Sequence, residues 1–270
     1  MTDRYAVIGH PVAHSKSPRI HAAFARNTGE DLVYEALLAP LDGFAGTVRA
    51  FRETGGRGLN VTVPFKLEAF ALADDVTDRA REAGAVNTLR FDGAHVLGDN
   101  TDGAGLVGDI RLRLGITLAA KSVLLLGAGG AARGVLGPLL AERPAALFIV
   151  NRTVAKAHAL ARQFEAHGPV RAGAYADLAG RSFDVVINAT SASLAGEALP
   201  LPPGLYAPNA LAYDMVYGDV PTRFLADARA AGAATLADGL GMLVAQAAES
   251  FLLWRGVRPD TRPVIAALRP

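Results

Sequence analysis

The sequence predicts an α/β protein of two αβ domains, one of them a Rossmann-type dinucleotide-binding domain. Short apolar, β-rich runs alternate with helical runs along most of the chain, which is the rhythm of α/β folds. A glycine-rich turn joins a strand to a helix within residues 121–153, whereas the first third of the chain has the same rhythm without such a turn. Two αβ regions of different character indicate two domains, with their boundary near Asp102.

The clearest element is the segment 121–153, which reads KSVLLLGAGGAARGVLGPLLAERPAALFIVNRT. We expect a strand at 122–126, a helix at 131–140 and a second strand at 146–150. Strand, turn, helix and strand fit the roughly thirty residues that a βαβ unit needs. The segment therefore predicts dinucleotide binding, and the alternative is a glycine-rich turn that binds nothing.

The glycine turn has the residue types that a pyrophosphate site requires. Gly127 allows a sharp reversal, Gly129 lets the backbone approach the phosphates, and Ala132 keeps the helix close to the strand. The helix N-terminus then offers free N–H groups and a partial positive charge. The candidate cofactor-binding residues of the turn are Gly127, Ala128, Gly129, Gly130 and Ala131.

The end of the second strand of this unit indicates which dinucleotide binds. NAD-binding units place Asp or Glu there, to hold the ribose 2′-hydroxyl. This chain instead has Asn151, Arg152 and Thr153, followed by Lys156. Because a guanidinium suits a 2′-phosphate, we predict NADP rather than NAD. The alternative is that Arg152 and Lys156 are ordinary solvated side chains.

Composition excludes several classes of function. The 270 residues carry a formal net charge of +1 with acids and bases interspersed, so no nucleic-acid surface or polybasic membrane patch is expected. The absence of cysteine excludes disulfides, thiol nucleophiles and thiolate metal sites, and no metal site is expected. The N-terminus has no signal-peptide pattern and no apolar run reaches membrane-span length. We expect a soluble cytoplasmic protein.

The remaining elements follow from hydrophobic pattern and turn residues. Further strands are expected at 5–9, 32–36, 59–63, 184–188, 210–216 and 234–236, with a hairpin formed by 85–91 and 94–97. Further helices are expected at 19–28, 41–53, 65–72, from 99–103 to about 114, and at 222–231, 241–254 and 263–268. Residues 199–208 are proline-rich and are expected to form a surface loop.

Polar side chains follow the predicted strands of the first domain. Ligands of open αβ sheets bind beyond the carboxyl ends of the strands, so these side chains are the candidate site. They are hydroxyls, amides, amines and carboxylates, which suit a small polyol or hydroxy acid, and guanidiniums for a phosphorylated substrate are lacking. The candidates are Ser15, Lys16, Ser17, Asn60, Thr62, Lys66, Asn87, Asp99, Asn100 and Asp102.

Each of these candidates also has a purely structural interpretation. Ser17 and Asp102 each precede or begin a predicted helix, so either is also a good N-cap. Asn87 lies in an apolar hairpin, where it could satisfy local backbone groups. The others could be ordinary surface or sheet residues: Asn60, Thr62 and Lys66. Spacing alone therefore leaves the substrate open.

Gln246 is a lone amide among apolar residues in the predicted helix 241–254. A polar side chain in that setting needs a partner. The partner is either a ligand, which we favour, or a core hydrogen bond.

These motifs together resemble those of the shikimate dehydrogenase family, and the resemblance covers nearly the whole chain. The matching segments agree with the family in order and spacing. They are GHPVAHSKSP (9–18), GLNVTVPFK (58–66), GAVNTL (84–89), GDNTDG (98–103), GAGGAARG (127–134), NRT (151–153), NATS (188–191), YDMVY (213–217) and DGLGMLVAQAAESFLLWRG (238–256).

The resemblance implies a domain plan and an activity. A substrate-binding domain, 1–102, would be completed by C-terminal helices within 239–270, and residues 103–238 would form the NADP-binding domain. The implied activity is reversible hydride transfer between NADPH and 3-dehydroshikimate, giving shikimate, in aromatic amino acid (chorismate) biosynthesis. The small-molecule substrate would be the partner, and the chain would be a monomer or homodimer.

The resemblance also assigns roles to residues. Lys66 and Asp102 would be the catalytic pair. The implied substrate-binding set is Ser15 and Ser17 for the carboxylate with Tyr217 nearby, and Thr62, Lys66, Asn87, Asp102 and Gln246 for the ring hydroxyls. The implied cofactor set beyond the glycine turn is Asn151, Arg152, Thr153 and Lys156 near the 2′-phosphate, and Ala189, Thr190, Ser191, Met215, Gly239 and Met242 elsewhere. Lys156 stands where many relatives have arginine, so the preference for NADP would be less steep.

Two questions stay open at this point. Either Lys66 exchanges the proton with the reacting oxygen, or Asp102 carries it and Lys66 acts as an electrostatic clamp. The alternative functions are a quinate/shikimate dehydrogenase using NAD, a paralogue acting on an aminoshikimate-like compound, and a non-catalytic NADP-binding paralogue.

Overall fold

A computed structural model describes residues 2–269, in which the chain forms two compact units. The first unit contains the described residues through Gly105 together with Val244–Leu268. The second contains Leu106–Leu243 and Arg269. Each unit has its own six-stranded sheet, so the predicted class of two αβ domains is confirmed. The predicted domain ranges also include Met1 and Pro270, which lie outside the described residues.

The strands divide equally between the two sheets. Those of the first unit are β1 (Asp3–Gly9), β2 (Leu32–Leu38), β3 (Gly56–Val61), β4 (Asp75–Val76), β5 (Thr88–Asp92) and β6 (His95–Asp99). Those of the second unit are β7 (Ser122–Leu126), β8 (Ala146–Val150), β9 (Val170–Gly173), β10 (Phe183–Asn188), β11 (Tyr206–Asp214) and β12 (Thr235–Ala237).

The α-helices alternate with these strands along much of the chain. They are α1 (Ser17–Thr28), α2 (Phe44–Glu53), α3 (Lys66–Leu72), α4 (Asp78–Ala83), α5 (Asp102–Gly108), α6 (Gly130–Ala141), α7 (Val154–Phe164), α8 (Arg223–Ala230), α9 (Leu240–Arg255) and α10 (Arg262–Leu268). No helix within residues 2–269 is both long enough and apolar enough to cross a membrane.

The sheet of the first unit is mixed. Its strand order is β2-β1-β3-β5-β6-β4, with β1 parallel to both of its neighbours. The predicted hairpin is confirmed: β5 pairs antiparallel with β6 and with β3, and Gly93 turns the chain at a φ of +61°. The antiparallel pair brings the chain back beside β3, so the segment after β6 lies near the segment after β3.

The sheet of the second unit is entirely parallel, in the order β12-β11-β10-β7-β8-β9. Numbered within the unit this is the 3-2-1-4-5-6 order of the Rossmann fold, whose ligand site lies where the order reverses, beside β7. Successive residues of β7 alternate between two buried clusters, Val123 and Leu125 in one, Leu124 and Leu126 in the other. Burial on both faces explains the continuous apolar run in the sequence.

Several predicted elements differ from the structure in their bounds, among them β3, which was expected at 59–63 and is observed at Gly56–Val61. The helix expected to reach about residue 114 is α5 followed by one π-helical stretch, Asp109–Arg113. Asp109 is 2% exposed there and accepts hydrogen bonds from Arg113, four residues along the chain, and from the Tyr213 hydroxyl, a distant contact that no local pattern shows. The loop expected at 199–208 ends earlier, because β11 already begins at Tyr206 despite Pro208.

Candidate active site

The first unit places Lys66 beside Asp102. Pro64 follows β3 and α3 begins at Lys66, while α5 begins at Asp102, three residues after β6 ends. The Lys66 Nζ donates to Asp102 Oδ2 over 2.6 Å. Their side chains are 35% and 18% exposed, so a small molecule can reach the pair from solvent. The arrangement places the amine of Lys66 and the carboxyl group of Asp102 in direct hydrogen-bond contact.

Asn87 holds the second oxygen of this carboxylate. Its Nδ2 donates to Asp102 Oδ1 over 2.8 Å, while its Oδ1 accepts from the Thr101 backbone N–H at 2.9 Å. Because a backbone N–H can only donate, it determines which end of the amide faces Asp102. The Asn87 oxygen therefore satisfies the local backbone, and its nitrogen faces the Asp102 carboxylate.

Gln246 reaches the same group of residues from α9. A Cβ at Gly105 would lie 2.7 Å from the Gln246 backbone nitrogen, so glycine is what lets α5 and α9 approach each other here. The Thr101 hydroxyl donates to Gln246 Oε1 at 3.3 Å. Gln246 thus has a partner in the protein while remaining half-buried. The sequence interpretation missed Thr101 and Gly105, which lie within the quoted GDNTDG motif or just after it.

The predicted carboxylate-binding serines lie around the start of α1. Ser15 Oγ accepts from the Ser17 backbone N–H at 3.2 Å, and Ser17 is 6% exposed. The N-cap position belongs to Lys16, so the alternative that Ser17 is the N-cap is wrong. Thr62 is half-buried just after β3, and its N–H donates to the Ile8 carbonyl at 3.0 Å.

Two candidates from the sequence have structural partners. Asp99 is 1% exposed and forms an ion pair with Arg79. Burial would raise the pKa of Asp99, but the hydrogen bonds and charge of Arg79, together with hydrogen bonds from the Thr77 hydroxyl and the Asn100 N–H, outweigh it and hold that pKa below its usual value. Asn100 donates to the Ala85 carbonyl at 3.0 Å and accepts from the Asp102 N–H at 3.1 Å, which supports the first turn of α5.

In the second unit, the turn after β7 requires glycine at position 127. Gly127 has a φ of +109°, a conformation that L-residues rarely adopt, and a Cβ there would lie 3.1 Å from the Ala189 carbonyl oxygen. Its N–H donates to the Val150 carbonyl at 2.7 Å. The turn is therefore held against the ends of both neighbouring strands, β8 and β10.

The following residues leave room for a pyrophosphate. Gly129 and Gly130 are exposed, and a Cβ on either would have no neighbour within 4 Å. Gly129 is the N-cap of α6, and no side chain caps the first N–H groups of this 12-residue helix. Ala132 is buried, as close packing of α6 against β7 requires. The turn fits a bound dinucleotide.

The predicted 2′-phosphate region lies at the carboxyl end of β8. Arg152, Thr153 and Lys156 are exposed, and Asn151 Nδ2 donates to the Thr153 carbonyl at 3.0 Å. Burial raises the pKa of Tyr175, which follows β9, and the charge of Arg152 opposes that rise. Within residues 2–269, no ion pair joins Arg152 or Lys156 to a carboxylate.

The other predicted cofactor residues follow β10, β11 and β12. Thr190 donates through its N–H and its hydroxyl to Asn188 Oδ1, at 3.1 and 2.7 Å. Met215 N–H donates to the Asn188 carbonyl at 2.9 Å, and Gly239 N–H donates to the Val216 carbonyl at 3.1 Å. The remaining members of the set are half-buried Ala189, exposed Ser191 and buried Met242 in α9. Tyr217, predicted to bind substrate, is half-buried after β11, and burial raises its pKa.

The fold and these sites define a class of protein, the dinucleotide-dependent oxidoreductases with a Rossmann unit and a separate substrate-binding unit. Residues 2–269 contain no group of three or more His, Cys, Asp or Glu side chains arranged to hold a metal ion. Family models match the chain as the shikimate dehydrogenase substrate binding domain over residues 7–89, shikimate / quinate 5-dehydrogenase over 111–195, and the shikimate 5′-dehydrogenase C-terminal domain over 239–269. The chain belongs to the shikimate dehydrogenase family.

Individual relatives are similar over the full length. A shikimate dehydrogenase (NADP(+)) of Aromatoleum aromaticum is 68% identical over 270 residues, which cover 99% of this chain and 97% of the relative. The crystal structure of an Ael1 enzyme from Pseudomonas putida is 51% identical, with a TM-score of 0.95 and coverage of 100% and 99%. Shikimate 5-dehydrogenase of Thermus thermophilus, in complex with NADP(H) and shikimate, is 37% identical, with a TM-score of 0.88 and coverage of 98% of each chain.

Proposed function

We propose that Lys66 and Asp102 are the catalytic pair of an NADP-dependent oxidoreductase that interconverts 3-dehydroshikimate and shikimate. The activity is that of the family: reversible oxidation and reduction at a CH–OH group in the shikimate pathway, with NADP as cofactor. The observation that supports the residue assignment is the 2.6 Å hydrogen bond between Lys66 and Asp102, in a position that solvent reaches.

In the reductive direction, NADPH when bound supplies the hydride for the carbonyl carbon of 3-dehydroshikimate. The Lys66 ammonium donates a proton to the oxygen of that carbonyl, where negative charge develops, so the product carries a hydroxyl. Asp102 stabilises the ammonium and orients it. In the oxidative direction the amine accepts the hydroxyl proton.

Substrate recognition in this proposal uses the hydroxyls and amides of the first unit. Ser15 and Ser17 hold the carboxylate at the start of α1. The ring hydroxyls are held by Thr62, Lys66, Asn87, Asp102 and Gln246. The close contacts of Asn87 with Asp102 and of Thr101 with Gln246 support a common site for these groups.

The second unit provides the residues that hold the cofactor. The turn 127–131 binds the pyrophosphate, Arg152 and Lys156 bind the 2′-phosphate with Asn151 and Thr153, and the segments after β10 to β12 complete the site. The first unit is accordingly the substrate-binding domain and the second the NADP-binding domain. We further propose a cytoplasmic monomer or homodimer, which the absence of cysteine suits.

The first experiment measures initial rates by the absorbance of reduced cofactor, with shikimate and quinate, each with NADP and NAD. Fast reduction of NADP with shikimate alone is the expected result. Comparable rates with quinate or NAD would instead support the quinate/shikimate dehydrogenase alternative. No rate in any combination would support the non-catalytic alternative.

The catalytic pair is tested with Lys66→Ala. We expect kcat to fall by about 10²–10⁴-fold, the range of general acid–base catalysis, with a small change in the KM for shikimate. Lys121→Ala is the matched control, because Lys121 is a partly exposed lysine that pairs with Asp184 at 3.2 Å in the other unit. A Lys66 variant with wild-type turnover removes the residue from catalysis. A small loss for Lys66→Ala beside a large loss for Asp102→Asn assigns the proton to Asp102.

A further inference from the structure

Two completely buried hydroxyls lie one layer behind the proposed catalytic pair. Thr88 is the first residue of β5 and Ser250 is in α9, and both are 0% exposed. Their oxygens are 2.8 Å apart. Neither has the solvent access that contact with a substrate requires, so any influence on the reaction must pass through other residues.

Asn60 orients both hydroxyls. Its Nδ2 donates to Ser250 Oγ at 2.8 Å and to Thr88 Oγ1 at 3.1 Å. Its Oδ1 accepts from the Tyr34 hydroxyl at 2.7 Å. Because the same Nδ2 also faces the Asn87 carbonyl oxygen at 3.4 Å, the reversed amide would place two oxygens against each other. The Asn60 amide therefore has one orientation, and both hydroxyl oxygens act as acceptors toward it.

Each hydroxyl has a single proton, and of two hydroxyl oxygens 2.8 Å apart one must donate to the other. With Ser250 as that donor, its proton lies on Thr88 Oγ1, and the Thr88 proton is left for another acceptor. The Thr88 proton points at Asn87 Oδ1, 2.9 Å away. The donors thus run in one direction, from Tyr34 through Asn60 and Thr88 to Asn87, whose Nδ2 donates to Asp102.

Resting on the proposed function, we propose that Thr88 and Ser250 are positioning residues for the reaction: they hold the Asn87 amide so that it donates to the Asp102 carboxylate. The Thr88 hydroxyl and the Thr101 N–H approach the same oxygen of Asn87, each at 2.9 Å. Two donors on one oxygen define both the end and the plane of the amide. The Asp102 carboxylate is then oriented by Asn87 on one oxygen and by Lys66 on the other.

The test compares Thr88→Val, which keeps the shape and removes the donor, with Thr88→Ser, which keeps the donor. We expect Thr88→Val to lower kcat for shikimate about tenfold, the rate equivalent of one weakened hydrogen bond, with the KM for NADP unchanged. Thr88→Ser should restore most of the rate. Ser250→Ala should lower kcat in the same direction by a smaller factor, because Thr88 keeps its contact with Asn87.

Thr28→Val is the matched control, since the Thr28 hydroxyl donates to the Phe24 carbonyl at 2.8 Å in α1 of the same unit. It should lower the melting temperature without lowering kcat. A Thr88→Val enzyme with wild-type kcat, or a Thr88→Ser enzyme as slow as the valine variant, overturns the inference. If Thr88→Val does not fold, a wild-type kcat in Ser250→Ala overturns it. An inactive wild-type enzyme would count against the proposed function instead.

Discussion

Asn188 and Asp214 lie opposite each other at the ends of β10 and β11, and the Asn188 amide donates to Asp214 Oδ1 over 3.2 Å. Asp214 is 0% exposed and also accepts from the Ser193 and Thr222 hydroxyls at 2.5 and 2.6 Å, and from the Val216 N–H at 3.1 Å. All four donors are neutral. The carboxylate thus ties together the two segments that follow these strands, which contain predicted cofactor residues.

Replacing Asp214 by Asn is expected to weaken NADP binding. The amide nitrogen would face hydroxyl and N–H donors, and each unsatisfied buried donor costs about 1–3 kcal/mol. We expect the KM for NADP to rise about tenfold and the melting temperature to fall by about 5 °C. Steady-state kinetics and thermal unfolding measure both. Asp227→Asn, on the exposed side of α8, is the control and should change neither.

Arg152 is expected to determine the choice between NADP and NAD. Hydrogen bonds to a charged group contribute about 1.5–3 kcal/mol, so Arg152→Ala should raise the KM for NADP by about 10–100-fold. The KM for NAD should stay near its wild-type value, because NAD has no 2′-phosphate. Arg162→Ala, another exposed arginine in the second unit, serves as the control. Equal effects on the two cofactors would show that Arg152 does not contact the 2′-phosphate.

His21 is expected to make the protein less stable in mild acid. Burial lowers the pKa of His21 to about 3, and its ring stacks on Tyr34 with centroids 4.1 Å apart. An unfolded histidine titrates near 6.5, so below that pH the unfolded state binds more protons and is favoured. His21 should contribute a loss of about 2 kcal/mol in the free energy of unfolding between pH 7 and pH 5.

The measurement is thermal unfolding at the two pH values. His21→Phe keeps an aromatic ring in the cluster and should show a smaller fall in melting temperature than the wild type. His158→Gln replaces an exposed histidine of α7 and should behave like the wild type. If the melting temperature of His21→Phe fell between pH 7 and pH 5 as much as that of the wild type, His21 would not be the source of the acid sensitivity.

Local patterns predicted the Rossmann unit well. The strands at 122–126 and 146–150 were predicted at their observed bounds, because a fully buried parallel strand is a continuous apolar run between turn residues. The hairpin around Gly93 followed from turn chemistry in the same way. The start of β11 was missed, because Pro208 and Asn209, with its φ of +64°, give a strand segment the composition of a loop.

In the candidate site, the sequence identified single residues better than the contacts between them. Lys66 and Asp102 follow strand ends and match a family motif, but they are 36 residues apart, and their contact depends on the hairpin that brings the chain back beside β3. Thr88 and Ser250 are 162 residues apart and had no local signal, since a threonine in a strand and a serine in a helix are both common.

The sequence by itself determined the α/β class, the glycine turn, the cofactor type and the family, because each depends on residue types at short, regular spacing. Only the tertiary structure decided which oxygen of Asp102 receives Lys66, which end of the Asn87 amide faces it, and which buried hydroxyls stand behind them. Hydrogen bonds are directional and short, so their partners are determined by the packing of distant segments rather than by sequence distance.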